Sequence, residues 1–296
     1  MQVIFSCENK TYMWWQAELL HYSLARTGMD AQLTALVSPD GGMRNTFTCA
    51  TQDVRSYKNE CDGEPLMVLN KPGAIAEWAA AGSCSDETVL IVDPDTVFHA
   101  AIGAPASIPH GEAYSEEHEY MAVDIPANKL VLDRHCSASC RSRVQPVGIY
   151  ILTSRSILVE LARRWLQRAV EIASDPVCRQ ALSGTGWLSD MWGYVIAAAE
   201  LGIHHHICEL SQVTGSNSLA RPLTHYCYPL MANPQQRWDP ETQDPLLWSK
   251  WHYQPWASPP DPALSANEGR FVLQLLSELV QRKAYEASYA AVESAT

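Results

Sequence analysis

Apolar and polar positions follow two rhythms along the first hundred residues, one of strands and one of helices. Val3-Ile4-Phe5 opens as a buried strand. Trp15, Leu19 and Tyr22, with Leu20 and Leu24 beside them, then recur at helical spacing as far as Gly28. Gln32 to Val37 predicts a second strand, closed by the turn signal Ser38-Pro39-Asp40-Gly41-Gly42. Residues 43–66 are polar and mixed and read as loop with a short strand. Val68 and Leu69 place Lys71 of Asn70-Lys71-Pro72-Gly73 after a strand edge, and Ala74 to Ala81 reads as a short Ala-rich helix. Val89-Leu90-Ile91-Val92 is an unbroken apolar run, the mark of a strand covered on both faces. Strands alternating with helices predict an α/β sandwich with a mostly parallel sheet.

Residues 110–145 carry His, Glu, Ser and Cys without periodicity and read as an irregular excursion over the sheet. Val147 to Leu152 predicts another strand, and Leu158, Leu161, Trp165, Ala169 and Ile172 mark one stripe of a helix. Trp187 to Leu201 predicts a further helix, preceded by Ser183-Gly184-Thr185-Gly186 and stopped by Gly202, with a strand from His204 to Leu210. Residues 229–262 hold many of the prolines and four of the ten tryptophans, and read as an ordered tail wrapping the surface. Phe271, Val272, Leu275, Leu276 and Leu279 make a last amphipathic helix.

Composition narrows the partners. The 296 residues are 47% hydrophobic and only 18% charged, enough for a sizeable core. A net charge of −12 without any basic run argues against nucleic acid, whereas a nucleotide diphosphate remains compatible if a divalent cation bridges the two anions. The start, MQVIFSCEN, lacks the features of a secretory signal, and no apolar stretch is long enough for a membrane span. Nine scattered cysteines, an odd number, read as reduced thiols, so the expected setting is cytoplasmic. Cys136 and Cys140 beside His135 lack the spacing and the fourth ligand of a zinc site.

Asp93-Pro94-Asp95 follows the buried run at a strand's carboxyl end, where ligands collect in open α/β sheets. Alternate residues of an extended segment point the same way, and Pro94 stiffens the link, so the two carboxylates can converge on one cation. Hard oxygen donors suit Mn2+ or Mg2+, with a diphosphate adding further oxygens. The plain alternative is a solvated turn. A second chemistry fits too, since Asp93-Pro94-Asp95-Thr96-Val97 matches the opening motif of haloacid-dehalogenase-like phosphohydrolases, whose first Asp is a nucleophile. That motif normally sits on the first strand, whereas residues 1–92 precede it here. A non-catalytic carbohydrate-binding protein would use the tryptophans as stacking platforms and would need no acidic pair.

Five segments in order carry a resemblance. They are Phe5-Ser6-Cys7 followed by Trp15-Gln16, Asn70-Lys71-Pro72 with Trp78, and Asp93-Pro94-Asp95. Then come Gly186-Trp187-Leu188-Ser189-Asp190-Met191-Trp192-Gly193-Tyr194 and Thr224-His225-Tyr226-Cys227-Tyr228. Together they resemble the plant hydroxyproline O-arabinosyltransferases and the related peptidyl serine α-galactosyltransferases. The resemblance implies a GT-A-like nucleotide-binding α/β/α sandwich with a mostly parallel central sheet and an ordered C-terminal tail ending in a helix. It implies one domain over 1–296, with a nucleotide-binding half (1–100), an acceptor and catalytic half (101–228) and a C-terminal wrap and helix (229–296). The implied activity is retaining transfer of an arabinose- or galactose-type sugar from a UDP-sugar to a hydroxyl. That hydroxyl belongs to a peptide hydroxyproline or serine, or to a small metabolite.

The same resemblance assigns roles. Asp93, Asp95 and His225 hold Mn2+ or Mg2+, and Ser6, Cys7, Glu8 and Asn9 meet the uracil and ribose. Asn70, Lys71, Asp93 and Lys250 approach the donor, with Arg237 sharing the Trp-rich tail, while Gly148, Trp187 and Asp190 lie near sugar and acceptor. Asp190 shares a helix face with Trp187 and Tyr194, an acid on an apolar surface that must be paired or belong to a cleft. It would act as nucleophile, as electrostatic stabiliser or by holding donor hydroxyls. Plainer readings stand beside these: a core His225, a surface Lys71, and an Asp190 bonded to a backbone edge. The family's Glu is Asp190 here, and its polar segment before the central strand reads Gln145-Pro146-Val147-Gly148-Ile149-Tyr150.

Overall fold

The computed structural model describes residues 1–42, 46–82, 87–105, 107–182, 186–214, 219–233, 236, 238, 239 and 245–293. Ser183-Gly184-Thr185 and Arg237 lie outside the described residues. The chain begins β1 (Gln2–Glu8), α1 (Thr11–Arg26), β2 (Gln32–Ser38), β3 (Ala50–Asp53), α2 (Asn70–Ala80), β4 (Thr88–Ile91), β5 (Thr96–Phe98) and β6 (Glu112–Glu117). It continues α3 (Pro126–His135), α4 (Ala138–Arg141), β7 (Val147–Ser154), α5 (Arg155–Ser174), α6 (Pro176–Ala181), α7 (Ser189–Leu201) and β8 (His204–Ile207). It ends β9 (Ser211–Val213), β10 (Leu223–His225), β11 (Leu230–Met231), β12 (Leu246–Trp248) and α8 (Asn267–Glu293).

Two units divide these elements. The first, residues 1–10, 30–93 and 103–209, holds a seven-stranded sheet in the order β3-β2-β1-β4-β7-β6-β8. β3, β2, β1 and β4 pair in parallel, β8 is parallel to β6, and β7 alone opposes its neighbours. The mostly parallel α/β sheet expected from the apolar runs is therefore present. Parallel pairing of β1 with β4 ends at Ile4 and Ile91, and Val92 N–H still donates to Ile4 O at 3.0 Å, so Asp93 is the next residue beyond the sheet.

Ile4, Leu36, Ile91 and Ile151 of the sheet share one core with Trp78, Leu161, Trp165 and Trp192 of the helices. α5 buries Leu158, Leu161, Ala162, Trp165, Ala169 and Ile172 at three- and four-residue spacing, the stripe read from the sequence. It packs against α7 at Gly193, where a Cβ would fall 2.6 Å from Ala169 N and 2.8 Å from its Cα. Gly202, at φ 70°, closes α7 in the left-handed conformation.

Three expectations are corrected. Residues 110–145 form β6, α3 and α4 rather than an irregular excursion. β6 buries Ala113, Ser115 and Glu116, small or polar groups that leave no apolar alternation to read. Val68 and Leu69 belong to a 3-10 turn that runs straight into α2, so Lys71 stands in a first helical turn, where Pro72 is tolerated. Cys136 and Cys140 are not reduced thiols but a disulfide, with Cα atoms 5.6 Å apart. Cys136 ends α3, and Ser137 then accepts from Cys140 N at 3.2 Å, folding the chain back on itself.

The second unit comprises residues 11–29, 94–102 and 210–296. Its three-stranded sheet runs β5-β10-β9, with β10 antiparallel to β5 and parallel to β9. Trp15, Leu19, Val97, Tyr226 and Trp248 form a core with Val272, Leu275, Leu276 and Leu279 of α8, the last amphipathic stripe of the sequence. No described helix is long and apolar enough to cross a membrane.

Adding a methyl group at Gly193 must push α5 and α7 apart, so Gly193→Ala should lower stability by about 1–3 kcal/mol in urea unfolding. A second prediction concerns acid. His205 is 3% exposed, its Nε2 lies 2.8 Å from Tyr194 Oη, and burial first, then His204 and His206, lower its pKa from 6.5 to about 4. The unfolded chain binds this proton more readily, so the contribution is complete above pH 6.5 and is lost as pH falls towards 4. His205→Gln should flatten the stability–pH curve in that window.

Candidate active site

In the first unit, one lysine joins two carboxylates. Asn70 is 1% exposed. Its Nδ2 donates to Asp40 Oδ2 at 3.0 Å and Ser38 Oγ at 3.5 Å, while its Oδ1 accepts from Tyr57 N at 2.8 Å. These bonds pin the start of α2 and so aim Lys71, whose Nζ lies 2.9 Å from Asp93 Oδ1 and 3.2 Å from Asp190 Oδ2. Burial opposes a charge on Lys71, but Asp190 and Asp93 outweigh it and raise its pKa.

Asp190 is 1% exposed in the first turn of α7, and its backbone carbonyl accepts from Trp165 Nε1 at 2.6 Å. Burial raises its pKa against the pull of Lys71, with Asp93 adding to the rise. Its Oδ1 is buried without any hydrogen-bond partner. A buried acceptor left bare is unfavourable by about 1–3 kcal/mol, which a ligand hydroxyl would recover.

Trp187 does not share the helix face of Asp190 as expected, whereas Tyr194, one turn further on, does. α7 starts at Ser189, which leaves Trp187 before the helix and 51% exposed, while Tyr194 is 1% exposed with its ring 5.1 Å from Trp165. At the end of β1, Ser6 and Asn9 are half-buried, whereas Cys7 and Glu8 are buried within the strand. Burial drives the Cys7 thiol far up, Glu8 pairs with Lys10 at 2.8 Å, and Asn9 N–H donates to Ser38 O at 3.0 Å. Gly148 lies in β7, where a Cβ would overlap Met191 and His118.

His118 and Tyr120 were missed in the sequence. Tyr120 is 43% exposed, stacks on His118 with centroids 5.1 Å apart, and stands 6.4 Å from Trp187. The one signal was an aromatic and a histidine inside the acidic run 116–120, in a stretch read as irregular.

The second unit holds the other carboxylate. Asp95 is 7% exposed, so a solvated turn is excluded there. Its Oδ1 lies 3.2 Å from His225 Nε2, Oδ2 pairs with Lys250, and its backbone carbonyl accepts from Tyr226 N–H at 3.0 Å. The β5–β10 register, His225 opposite Thr96, brings the histidine beside it. Burial would raise the Asp95 pKa, yet His225 and Lys250 hold it well below the carboxylate range, and the pairing raises both partners in turn. Two positive groups converging on one buried carboxylate do electrostatically what a divalent cation does, and carboxylate oxygen with imidazole nitrogen is a fitting donor set. His135, Asp175 and Cys178 also cluster in the first unit, but both Asp175 oxygens are committed. One caps Val177 and Cys178, and the other pairs with Arg134 and His135.

Known proteins resemble parts of this sequence. The family model described as "Hydroxyproline O-arabinosyltransferase family N-terminal domain" matches residues 1–207. The peptidyl serine alpha-galactosyltransferase of Arabidopsis thaliana is 26% identical over 226 residues, 70% of this chain and 27% of that protein. Hydroxyproline O-arabinosyltransferase 3 of Arabidopsis thaliana is 27% identical over 147 residues, 47% of this chain and 38% of its own length. Hydroxyproline O-arabinosyltransferase RDN1 of Medicago truncatula is 28% identical over 217 residues, 69% of this chain and 57% of its own length. The chain thus spans between 27% and 57% of these curated relatives. The solved galactosyltransferase LgtC, in complex with donor and acceptor sugar analogs, aligns with 94% of this chain and 96% of that one, at a TM-score of 0.49 and 10% identity.

Removing the lysine tests the carboxylate pairing. Lys71→Met should destabilise the protein by about 3–5 kcal/mol at neutral pH, because it strands Asp190. The double variant Lys71→Met with Asp190→Asn should regain most of that loss in urea unfolding. A double variant no more stable than the single one would show that the two groups are not coupled.

Proposed function

Because the chain belongs to the hydroxyproline O-arabinosyltransferase family, we propose that it is a UDP-sugar-dependent glycosyltransferase. It moves an arabinose- or galactose-type sugar to a hydroxyl of peptidyl hydroxyproline or serine, uses a divalent cation, and retains the anomeric configuration. The relatives' names support the reaction class, and the bare Oδ1 of Asp190, on the motif helix, is the observation that carries it.

Asp93, Asp95 and His225 would hold Mn2+ or Mg2+, which when bound supplies a Lewis acid for a diphosphate leaving group. Lys250 stands on Asp95 and offers its ammonium to diphosphate charge. Ser6 to Asn9 frame the nucleoside as the chain leaves β1, and Asn70 positions Lys71. Lys71 fixes Oδ2 of Asp190 and leaves Oδ1 for the sugar. As nucleophile, Asp190 would form a glycosyl ester that the acceptor hydroxyl then displaces. As a holder of sugar hydroxyls, it would leave same-face attack to the acceptor, whose proton passes to the departing phosphate. Gly148 and Trp187 belong to the sugar and acceptor side.

The compartment is a separate question. Disulfides persist in oxidising compartments, so the Cys136–Cys140 bond weighs against the cytoplasmic setting expected from the sequence.

UDP should raise the melting temperature in the presence of Mn2+ and not after chelation, and Asp95→Ala should abolish the metal-dependent shift. A shift that survives chelation or the substitution would overturn the metal assignment. Hydrolysis of a phosphate monoester without UDP affinity would favour the phosphohydrolase reading. Asp190→Asn should lower kcat by about two orders of magnitude, and NMR of the product should show the donor's anomeric configuration.

A further inference from the structure

We infer that His204 and His206, on the outward face of the edge strand β8, bind one divalent transition-metal ion of the zinc class, with Glu112 orienting His206. This site is separate from the transferase chemistry proposed above and does not rest on it.

Strand geometry makes the pair. Successive residues of a strand point to opposite faces, so the run His204-His205-His206 is divided between them. His205 turns inward, 3% exposed, to Tyr194 Oη. His204 and His206 share the other face, the first exposed and the second half-buried, with ring centroids 5.2 Å apart. Two imidazoles bonded at about 2.1 Å to one tetrahedral ion have their centroids about 5 Å apart, so the strand already sets the spacing that such an ion needs. The exposed ring of His204 can turn about its last bond to present a nitrogen, because that torsion is broad.

The second observation is how His206 is held. β8 runs parallel to β6, with His204 beside Glu112 and His206 beside Tyr114. The Tyr114 ring stacks on His206 at 4.8 Å, with planes inclined at 27°. His206 Nε2–H donates to Glu112 Oε2 at 2.7 Å. An ionised carboxylate can only accept, so in the neutral imidazole the proton sits on Nε2 and the lone pair on Nδ1. A carboxylate on one ring nitrogen is how proteins fix the tautomer of a metal-binding histidine and make its other nitrogen more basic. His206 is thus oriented before any ion arrives.

The donor set selects the ion. Neutral imidazole suits Zn2+, Ni2+ and Cu2+, whereas Mg2+ and Mn2+ favour oxygen donors. The pair therefore takes a different class of cation from the one proposed for Asp93, Asp95 and His225. β8 is the last strand of the sheet and the His206 side chain is 40% exposed, which gives an ion a path from solvent. A net charge of −12 draws cations towards the surface.

Calorimetric titration with ZnCl2 tests the site, on the full chain free of any polyhistidine tag and carrying Asp95→Ala to disable the other candidate centre. Should that variant not fold, the parent chain saturated with Mn2+ takes its place. One zinc should bind per chain, and His204→Ala and His206→Ala should each abolish the binding. Glu112→Leu should weaken it about tenfold, whereas Glu112→Gln, whose amide oxygen still accepts from Nε2–H, should restore most of the affinity. His205→Gln, on the inward face, should leave it intact. Without metal the two alanine variants should melt at the parent's temperature, since both side chains reach solvent. With one equivalent of Cu2+, electron paramagnetic resonance should show two coordinated imidazole nitrogens in the parent and one in each alanine variant. No zinc binding, binding that survives either alanine substitution, or a copper spectrum that neither changes would overturn the site.

Discussion

Asp190 is tolerated at the buried start of α7 because Lys71 reaches it. Much of the first unit's site geometry follows from that pairing. Lys71 must sit in the opening turn of α2, which is why Asn70 beneath it is tied to three partners. The same ammonium takes Asp93 as that residue leaves the sheet. A carboxylate withdrawn from water without its cation would be neutral or unfolded. With the cation it stays available, one oxygen fixed and the other offered. Asp95 in the second unit obeys the same rule with His225 and Lys250.

The parts of this arrangement visible in the sequence were those whose burial is written in apolar residues. Val3 to Phe5 and Val89 to Val92 announced central strands because both faces are covered, and the stripes of α5 and α8 announced helices because one face is. β6 stayed hidden because its inward residues include Ser115 and Glu116. β5, β9 and β10 span three residues each, too few for any period to register. Trp187 misled for another reason, since the helical stripe was extrapolated past a start at Ser189 that no residue pattern marked.

Electrostatic partnerships were harder still. Asp93-Pro94-Asp95 could be read as a site, but the cation each acid takes is set by tertiary structure. Lys71 comes from a helix start, and His225 and Lys250 come from far along the chain. Nothing in the sequence marks a carboxylate oxygen as bare. The disulfide was equally hidden, because two cysteines four positions apart can pair only if the chain reverses between them, as it does after α3.

The lone reversed strand, β7, has an effect on how such a site diversifies. Because β7 opposes β4 and β6, its first residues lie at the sheet edge where those two strands end, with Val147 opposite Glu117. That edge is lined both by segments leaving the sheet, after β4 and β6, and by one entering it, at Gly148. The two kinds of segment are connected to different parts of the chain. Insertions or substitutions before β7 can reshape the entering border without shifting the exit of β4 that carries Asp93. One inverted strand thus gives the scaffold two borders at one edge, each fed by a different part of the chain.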